Sequence, residues 1–301
     1  MNRREFIRNM TVVAIGAAVA TSCRMDDQGK TETADSKQKK ASPKRLVFYF
    51  TATGNSLYVA RALSTDTVSI PQALKAGDLE YEAEEIGFVF PDFAAMAPLI
   101  VREFIEKSRL KASYYFSVIT YGNAAANVAD WWTGFCREHG IENHYVNTLL
   151  MVDNYLPVFD MNEQRRIDKH IEANLSAIVS DVNAKKSNVS ATAGQQDAGM
   201  QGFLRNIQNT IFTMTSERLL NLNAAACVGC GTCASVCPRG NFRIESGLAK
   251  FSGSCEYCLA CVHACPAMAL TLAGGERNTR ARFRNENVPL ADIIKSNNQQ
   301  S

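Results

Sequence analysis

The sequence predicts a doubly wound α/β domain with a five-stranded parallel sheet, followed by a small α+β domain organised by cysteines. Three observations carry this. Short apolar runs alternate with amphipathic stretches from residue 45 to 184, a Ser-, Ala- and Gln-rich break follows from Lys185 to Gly199, and eight of the ten cysteines crowd between Cys227 and Cys265. Alternating strands and helices imply βαβ units with helices on both sheet faces. A chain of 301 residues is comfortable for two such domains.

Leu46 to Phe50, Thr67 to Ile70, Ile86 to Phe90, Tyr114 to Thr120 and Tyr145 to Val152 are rich in β-branched and aromatic residues and read as strands. Ser56 to Leu63, Pro98 to Ser108, Asn127 to His139 and Asn162 to Val182 read as helices. Phe203, Leu204, Ile207, Ile211 and Met214 recur at helical spacing, which predicts an amphipathic helix between the domains. The organisation expected is therefore a signal at 1–23, a tether at 24–44 and an α/β domain at 45–184. A linker and connecting helix at 185–220, a cysteine domain at 221–275 and a tail at 276–301 complete it.

Composition sets bounds. With 32 Lys+Arg against 30 Asp+Glu the net charge is +2, which offers no electrostatic reason to expect nucleic acid as a partner. The basic run Arg277, Arg280, Arg282, Arg284 reads as a solvated face, with docking of an acidic redox partner as the alternative.

Arg3 and Arg4 precede an apolar run from Met10 to Ala20 and then Thr21-Ser22-Cys23. That is a charged start, a short apolar core and a small-residue cleavage site, the pattern of a secretory signal. Asn2-Arg3-Arg4-Glu5-Phe6-Ile7-Arg8 looks like a twin-arginine signal, which directs export of folded proteins. Ala20-Thr21-Ser22-Cys23 resembles a lipobox, so lipidation of Cys23 and a membrane anchor on the far side of the cytoplasmic membrane are expected. A plain signal peptide is the alternative. Residues 24–44 are polar and without aromatics, a composition that buries no core.

Cys227, Cys230, Cys233 and Cys237 form C-x2-C-x2-C-x3-C followed by Pro238, and Cys255, Cys258, Cys261 and Cys265 repeat it before Pro266. In this motif the fourth cysteine ligates the other cluster. The expected sets are Cys227, Cys230, Cys233 and Cys265 for one 4Fe–4S cluster, and Cys255, Cys258, Cys261 and Cys237 for the second. Paired C-x-x-C also serves zinc, but zinc needs neither the third cysteine nor the Cys-Pro.

Thr51-Ala52-Thr53-Gly54-Asn55-Ser56 joins the first strand to the first helix. Hydroxyls and free backbone N–H groups at a helix start make an anion site. No lysine closes this loop, so a nucleoside triphosphatase is not expected, and a phosphate monoester suits it. A plain turn with a capped helix is the alternative. G-x-G-x-x-G is absent, so no pyridine nucleotide is expected.

The stretch Tyr49 to Ser56 resembles the FMN phosphate loop of flavodoxins. Further matches are Ile86-Gly87-Phe88-Val89-Phe90-Pro91, Val152-Asp153-Asn154-Tyr155, both cysteine motifs with Glu256, Leu259 and Ala260, and Ala281-Arg282-Phe283-Arg284-Asn285 leading into Asp292-Ile293-Ile294. Together they look like the bacterial family that fuses a flavodoxin-like domain to a 2×4Fe–4S ferredoxin domain. That resemblance implies FMN, with its ring between loops Pro91 to Pro98 and Tyr121 to Asn127. Pro91, Phe93, Met96, Tyr121, Gly122 and Asn127 would be the ring-side residues.

The expectation is an exported electron-transfer protein that relays electrons between two clusters and FMN, served by a redox partner protein. A flavin-dependent reductase of a small acceptor such as a quinone is the second reading. A flavin-free docking domain joined to a ferredoxin is the third. His263, inside the second cysteine motif, is expected at the surface.

Overall fold

The computed structural model describes residues 43–189 and 198–300. The signal segment with Cys23, the tether as far as residue 42 and linker residues 190–197 lie outside the described residues. Among those described, no helix is long and apolar enough to cross a membrane.

The strands are β1 Arg45–Tyr49, β2 Thr67–Ser69, β3 Glu80–Glu82, β4 Glu85–Pro91, β5 Arg109–Lys111, β6 Tyr114–Tyr121, β7 Tyr145–Leu150 and β8 Asn188–Val189. β9 Leu220–Leu222, β10 Phe242–Glu245, β11 Leu248–Phe251 and β12 Leu270–Leu272 follow. The helices are α1 Asn55–Leu63, α2 Ile70–Ala76, α3 Leu99–Lys107, α4 Val128–Glu138, α5 Met161–Gln164 and α6 Ile171–Asn183. α7 Ala198–Phe212, α8 Ser216–Leu219, α9 Thr232–Ser235, α10 Ala260–Ala264 and α11 Leu290–Asn297 complete the set.

The main sheet is parallel throughout, in the order β2-β1-β4-β6-β7-β8. Each of the five expected strands is present, and the sheet has a sixth. β8 pairs Asn188 with Tyr145 and Val189 with Val146, inside the stretch read as linker. Two residues carry no apolar alternation, so only the open edge of β7 defines this strand. β3 and β5 form a separate parallel pair.

Successive strand residues point to opposite faces. On β1, Val47 and Tyr49 join a core with Leu57 and Ala60 of α1 and Leu175 and Ile178 of α6. Leu46, Phe48 and Phe50 join the other core, with Ile70 of α2, Phe104 of α3 and Trp132 of α4. Each such fully buried side chain contributes about 1.5–3 kcal/mol relative to exposure. α2 was not foreseen: Pro71 in its first turn presets helical φ, and Ile70 and Ala73 are buried. The long helix expected after β7 is instead α5 and α6, separated by His170 at φ 50°.

The cysteine region folds as two matched halves, β10 antiparallel to β11 and β12 antiparallel to β9. Its apolar residues Val236, Phe242, Ala260 and Val262 belong to the same continuous core as the α1 and α6 side of the sheet.

The segment after Glu276, expected as a tail, packs back onto the α/β part. Ala281, Phe283, Val288 and Ile293 are buried. Tyr49 and Ser296 share a hydroxyl hydrogen bond of 2.8 Å, and Gln72 donates to the carbonyl of Asn298 at 2.9 Å. Within the basic run, Arg282 leaves the solvated face expected for it and pairs with Glu276 at 2.7 Å, both side chains buried.

Candidate functional site

A cavity of about 330 Å³ opens beyond the carboxyl ends of β1, β4 and β6, where ligands of doubly wound sheets bind. Thr51, Ala52, Thr53, Asn55 and Ser56 line one end, and Pro91, Phe93, Tyr121 and Gly122 line the sides. Three of the expected ligand residues lie elsewhere. Gly54 turns the loop at φ 104° under the C-terminal segment, where an added Cβ would stand 3.0 Å from the Cβ atoms of Asn285 and Val288. Met96 is a buried core residue whose carbonyl accepts the Phe93 N–H at 2.9 Å. Asn127 precedes α4 and accepts a hydrogen bond from Arg205 of α7.

The loop is held from three directions. Gly54 N–H donates to Thr51 Oγ1 at 3.0 Å, and Ser56 and Thr120 hydroxyls meet at 2.9 Å. Asn55 donates to the Val152 carbonyl at 3.1 Å and accepts from the side chain of Asn285 at 3.1 Å. Asn297 donates to the Thr51 carbonyl at 2.8 Å. Asn154 donates to Thr53 Oγ1 at 2.6 Å, which leaves the Thr53 hydroxyl proton free to face an anion. With no acidic residue in the first turn of α1, the loop fits a phosphate monoester.

The far wall is made by residues to which the sequence assigned no role at this cavity. Leu204, Ile207, Gln208 and Ile211 of α7, Val152 to Tyr155, and Tyr257, Cys258 and Leu259 all border the cavity. The helical spacing of the α7 residues was visible; its destination was not. Asp92 also borders the cavity, and burial raises its carboxyl to about 8. One Asp92 oxygen has no hydrogen-bond partner. Burial likewise raises Asp153 and lowers Lys169, whose Nζ donates to the Gly122 carbonyl at 3.0 Å.

The eight motif cysteines divide between two smaller hollows. Cys227, Cys230, Cys233 and Cys265 line one, beneath Val228, Ile244 and Pro266. Cys237, Cys255, Cys258 and Cys261 line the other, beside Arg239, Glu256 and Phe242. The crossing of the fourth cysteines is thus present in the geometry. Backbone N–H groups point at sulfur: Asn241 at Cys237 (3.4 Å), Tyr257 at Cys255 (3.3 Å) and Ala269 at Cys265 (3.3 Å). Such bonds stabilise charge on cluster sulfurs and tune potential. Among the described residues, no three His, Cys, Asp or Glu side chains converge on a single metal ion. Burial pushes the Cys258 and Cys261 thiols far up; bound iron would supply the positive charge that keeps them as thiolates.

His263 is buried rather than exposed as expected. Its Nε2 meets the Asn154 carbonyl at 2.9 Å and its Nδ1 accepts the Phe283 N–H at 3.1 Å. The neutral ring therefore joins α10, the cavity wall and the C-terminal segment. Glu256 is buried too, accepting Ile100 N–H at 3.0 Å and pairing with Arg239 at 2.8 Å.

Residues 219–266 match the 4Fe-4S dicluster domain family. No curated protein matches the chain. Among solved structures, a candidate flavoprotein from Bacteroides uniformis ATCC 8492 is 17% identical, with 36% of this chain and 91% of that chain covered and a TM-score of 0.28. A likeness that low carries no argument here. The chain thus carries a 4Fe–4S dicluster domain, and with it iron–sulfur clusters and electron transfer.

Proposed function

We propose that the protein relays electrons between two 4Fe–4S clusters and one FMN. Cys227, Cys230, Cys233 and Cys265 would hold the outer cluster, and Cys237, Cys255, Cys258 and Cys261 the inner. FMN would fill the cavity, its phosphate on Thr51 to Ser56 and its ring between the Pro91 and Tyr121 loops. The observation that carries the reading is a shared wall: Cys258, a ligand of the inner cluster, also borders the cavity. An electron on that cluster is then next to the flavin without crossing solvent.

The residues divide the work plainly. The loop hydroxyls and the start of α1 bind the phosphate. Phe93, Tyr121, Tyr257 and the apolar face of α7 exclude water from the ring. FMN, when bound, exchanges electrons singly or in pairs, which matches one-electron clusters to two-electron chemistry.

Reduction of a small acceptor at the same cavity is the second reading, favoured by Asp92, a carboxyl that holds its proton near neutral pH. Twin-arginine export and lipid anchorage through Cys23 belong to the proposal and rest on the signal segment alone. A fatty-acid label on the exported protein tests the anchor.

Anaerobic purification with iron, sulfide and flavin measured together tests the relay. About eight iron and eight sulfide with one FMN are expected. Full iron with no affinity for FMN overturns the flavin half, and stoichiometric zinc overturns the whole.

A further inference from the structure

A relay whose inner cluster faces its own flavin needs another face to meet the outside. We propose that this face is the apolar collar around Cys230, set in uncharged ligand loops, and that its occupant is a redox protein whose contact surface is likewise apolar and uncharged. The inference rests on the two-cluster reading above.

Cys230 is the exposed thiol of the eight in the two motifs; the others are buried or half-buried. Val228, 70% exposed, and Ile244, 37% exposed, line its hollow, and Met268, 43% exposed, sits between the lining residues Ala267 and Ala269. Met268 follows Ala267 of the hollow's lining and holds its exposed apolar side chain at φ 49°, a left-handed backbone that costs free energy. An isolated exposed hydrophobe needs no explanation, but two lining one ligand hollow with a third beside it give the hollow an apolar rim.

The ligand loops of this face carry no charge. No Asp, Glu, Lys or Arg occurs from Asn221 to Pro238 or from Tyr257 to Gly275, the two stretches that supply seven of the eight thiols. Ile244 sits between Arg243 and Glu245, which neutralise one another in an ion pair. The inner quartet has no exposed thiol, and the Arg239–Glu256 pair, α3 through Ile100 and the cavity lie around it. An approaching partner therefore meets the outer cluster first, across loops that offer no charge to recognise. An acidic partner would go to exposed Arg277, Arg280 and Arg284, the competing site.

The step transfers one electron between the partner's metal centre and the outer cluster. One is oxidised, the other reduced, and no bond or proton moves. From there the electron passes to the inner cluster and the cavity.

The test uses the full holoprotein, reduced anaerobically, with oxidised rubredoxin, a small one-iron protein, as probe acceptor. Rates are followed by stopped flow from low to high salt. Expected is a rate that changes by less than about twofold, because apolar contact is not screened. Val228→Lys and Met268→Lys should each slow it about tenfold by placing a desolvated charge in the contact. Arg280→Glu with Arg284→Glu should leave it unchanged. A steep salt dependence lost in the arginine variant overturns the proposal, as does indifference to both lysine variants or no transfer from the wild type. Iron, sulfide and the cluster spectrum of each variant are measured alongside. Wild type without clusters defeats the relay itself; intact clusters with the wrong rates defeat only the docking face.

Discussion

Asn285 donates its side-chain amide to Asn55 Oδ1 at 3.1 Å, across 230 residues of sequence. Its backbone N–H also donates to the Thr53 carbonyl at 2.8 Å. The C-terminal segment is therefore part of the anion loop's support. Asn285→Ala leaves the buried Asn55 oxygen without this donor, a loss of about 1–3 kcal/mol. We expect lower stability in denaturant unfolding and weaker FMN binding by fluorescence titration, with iron content unchanged.

Gly122 lies where an added Cβ would stand 2.4 Å from the carboxyl of Asp153. Gly122→Ala must push the Tyr121 and Asp153 loops apart. FMN affinity should fall about tenfold or more, equivalent to about 1.4 kcal/mol, while the ultraviolet–visible spectrum of the clusters stays the same.

Asp92 carries its proton to about pH 8 when folded, through burial. Unfolded, it ionises in the ordinary carboxylate range, so between those limits the folded state binds more protons. Its stabilising contribution is complete at acid pH and is lost as pH rises toward 8. Asp92→Asn should abolish that loss: the stability gap between pH 5 and pH 8 in urea unfolding narrows. A gap as wide as that of the wild type would show that Asp92 ionises freely.

Arg239 reaches both Glu256, at 2.8 Å, and Glu103, at 2.6 Å, and so joins the inner cluster loop to α3. Arg239→Ala leaves the carboxyl of Glu256 buried without its cation. Breaking a buried pair from one side costs about 3–5 kcal/mol, discounted here because Arg239 is 23% exposed. Glu256→Gln should cost less, since it removes the charge that needs a partner. Thermal unfolding of both variants checks the order.

Removal of iron by an anaerobic chelator should weaken FMN binding. Tyr257, Cys258 and Leu259 form a wall of the cavity, and the loop that carries them is built around thiols. A titration showing equal FMN affinity with and without clusters would mean that this wall stands by itself.

Particular residues show how far the sequence reaches. Both cysteine quartets were legible because the motif spacing alone names the fours that the fold gathers in two hollows. The five expected strands of the main sheet were legible because β-branched and aromatic runs bounded by breakers leave little choice. β8 was not, since its two residues are defined by the free edge of β7. Nor were Met96 and His263: a flexible thioether and an imidazole suit a core or a site equally, and their neighbours are distant in the chain.

By itself, then, the sequence determined the pieces: a strand–loop–helix junction at Thr51 to Ser56, two cysteine motifs, and an amphipathic segment from Phe203 to Met214. The tertiary structure decided their arrangement: that Cys258 backs onto the cavity, that α7 closes it, and that Asn285 and Asn297 brace the loop. The reason is physical. Local hydrogen bonding and side-chain periodicity are encoded within a few residues, whereas contacts across 100 to 250 positions follow only from packing the whole core together.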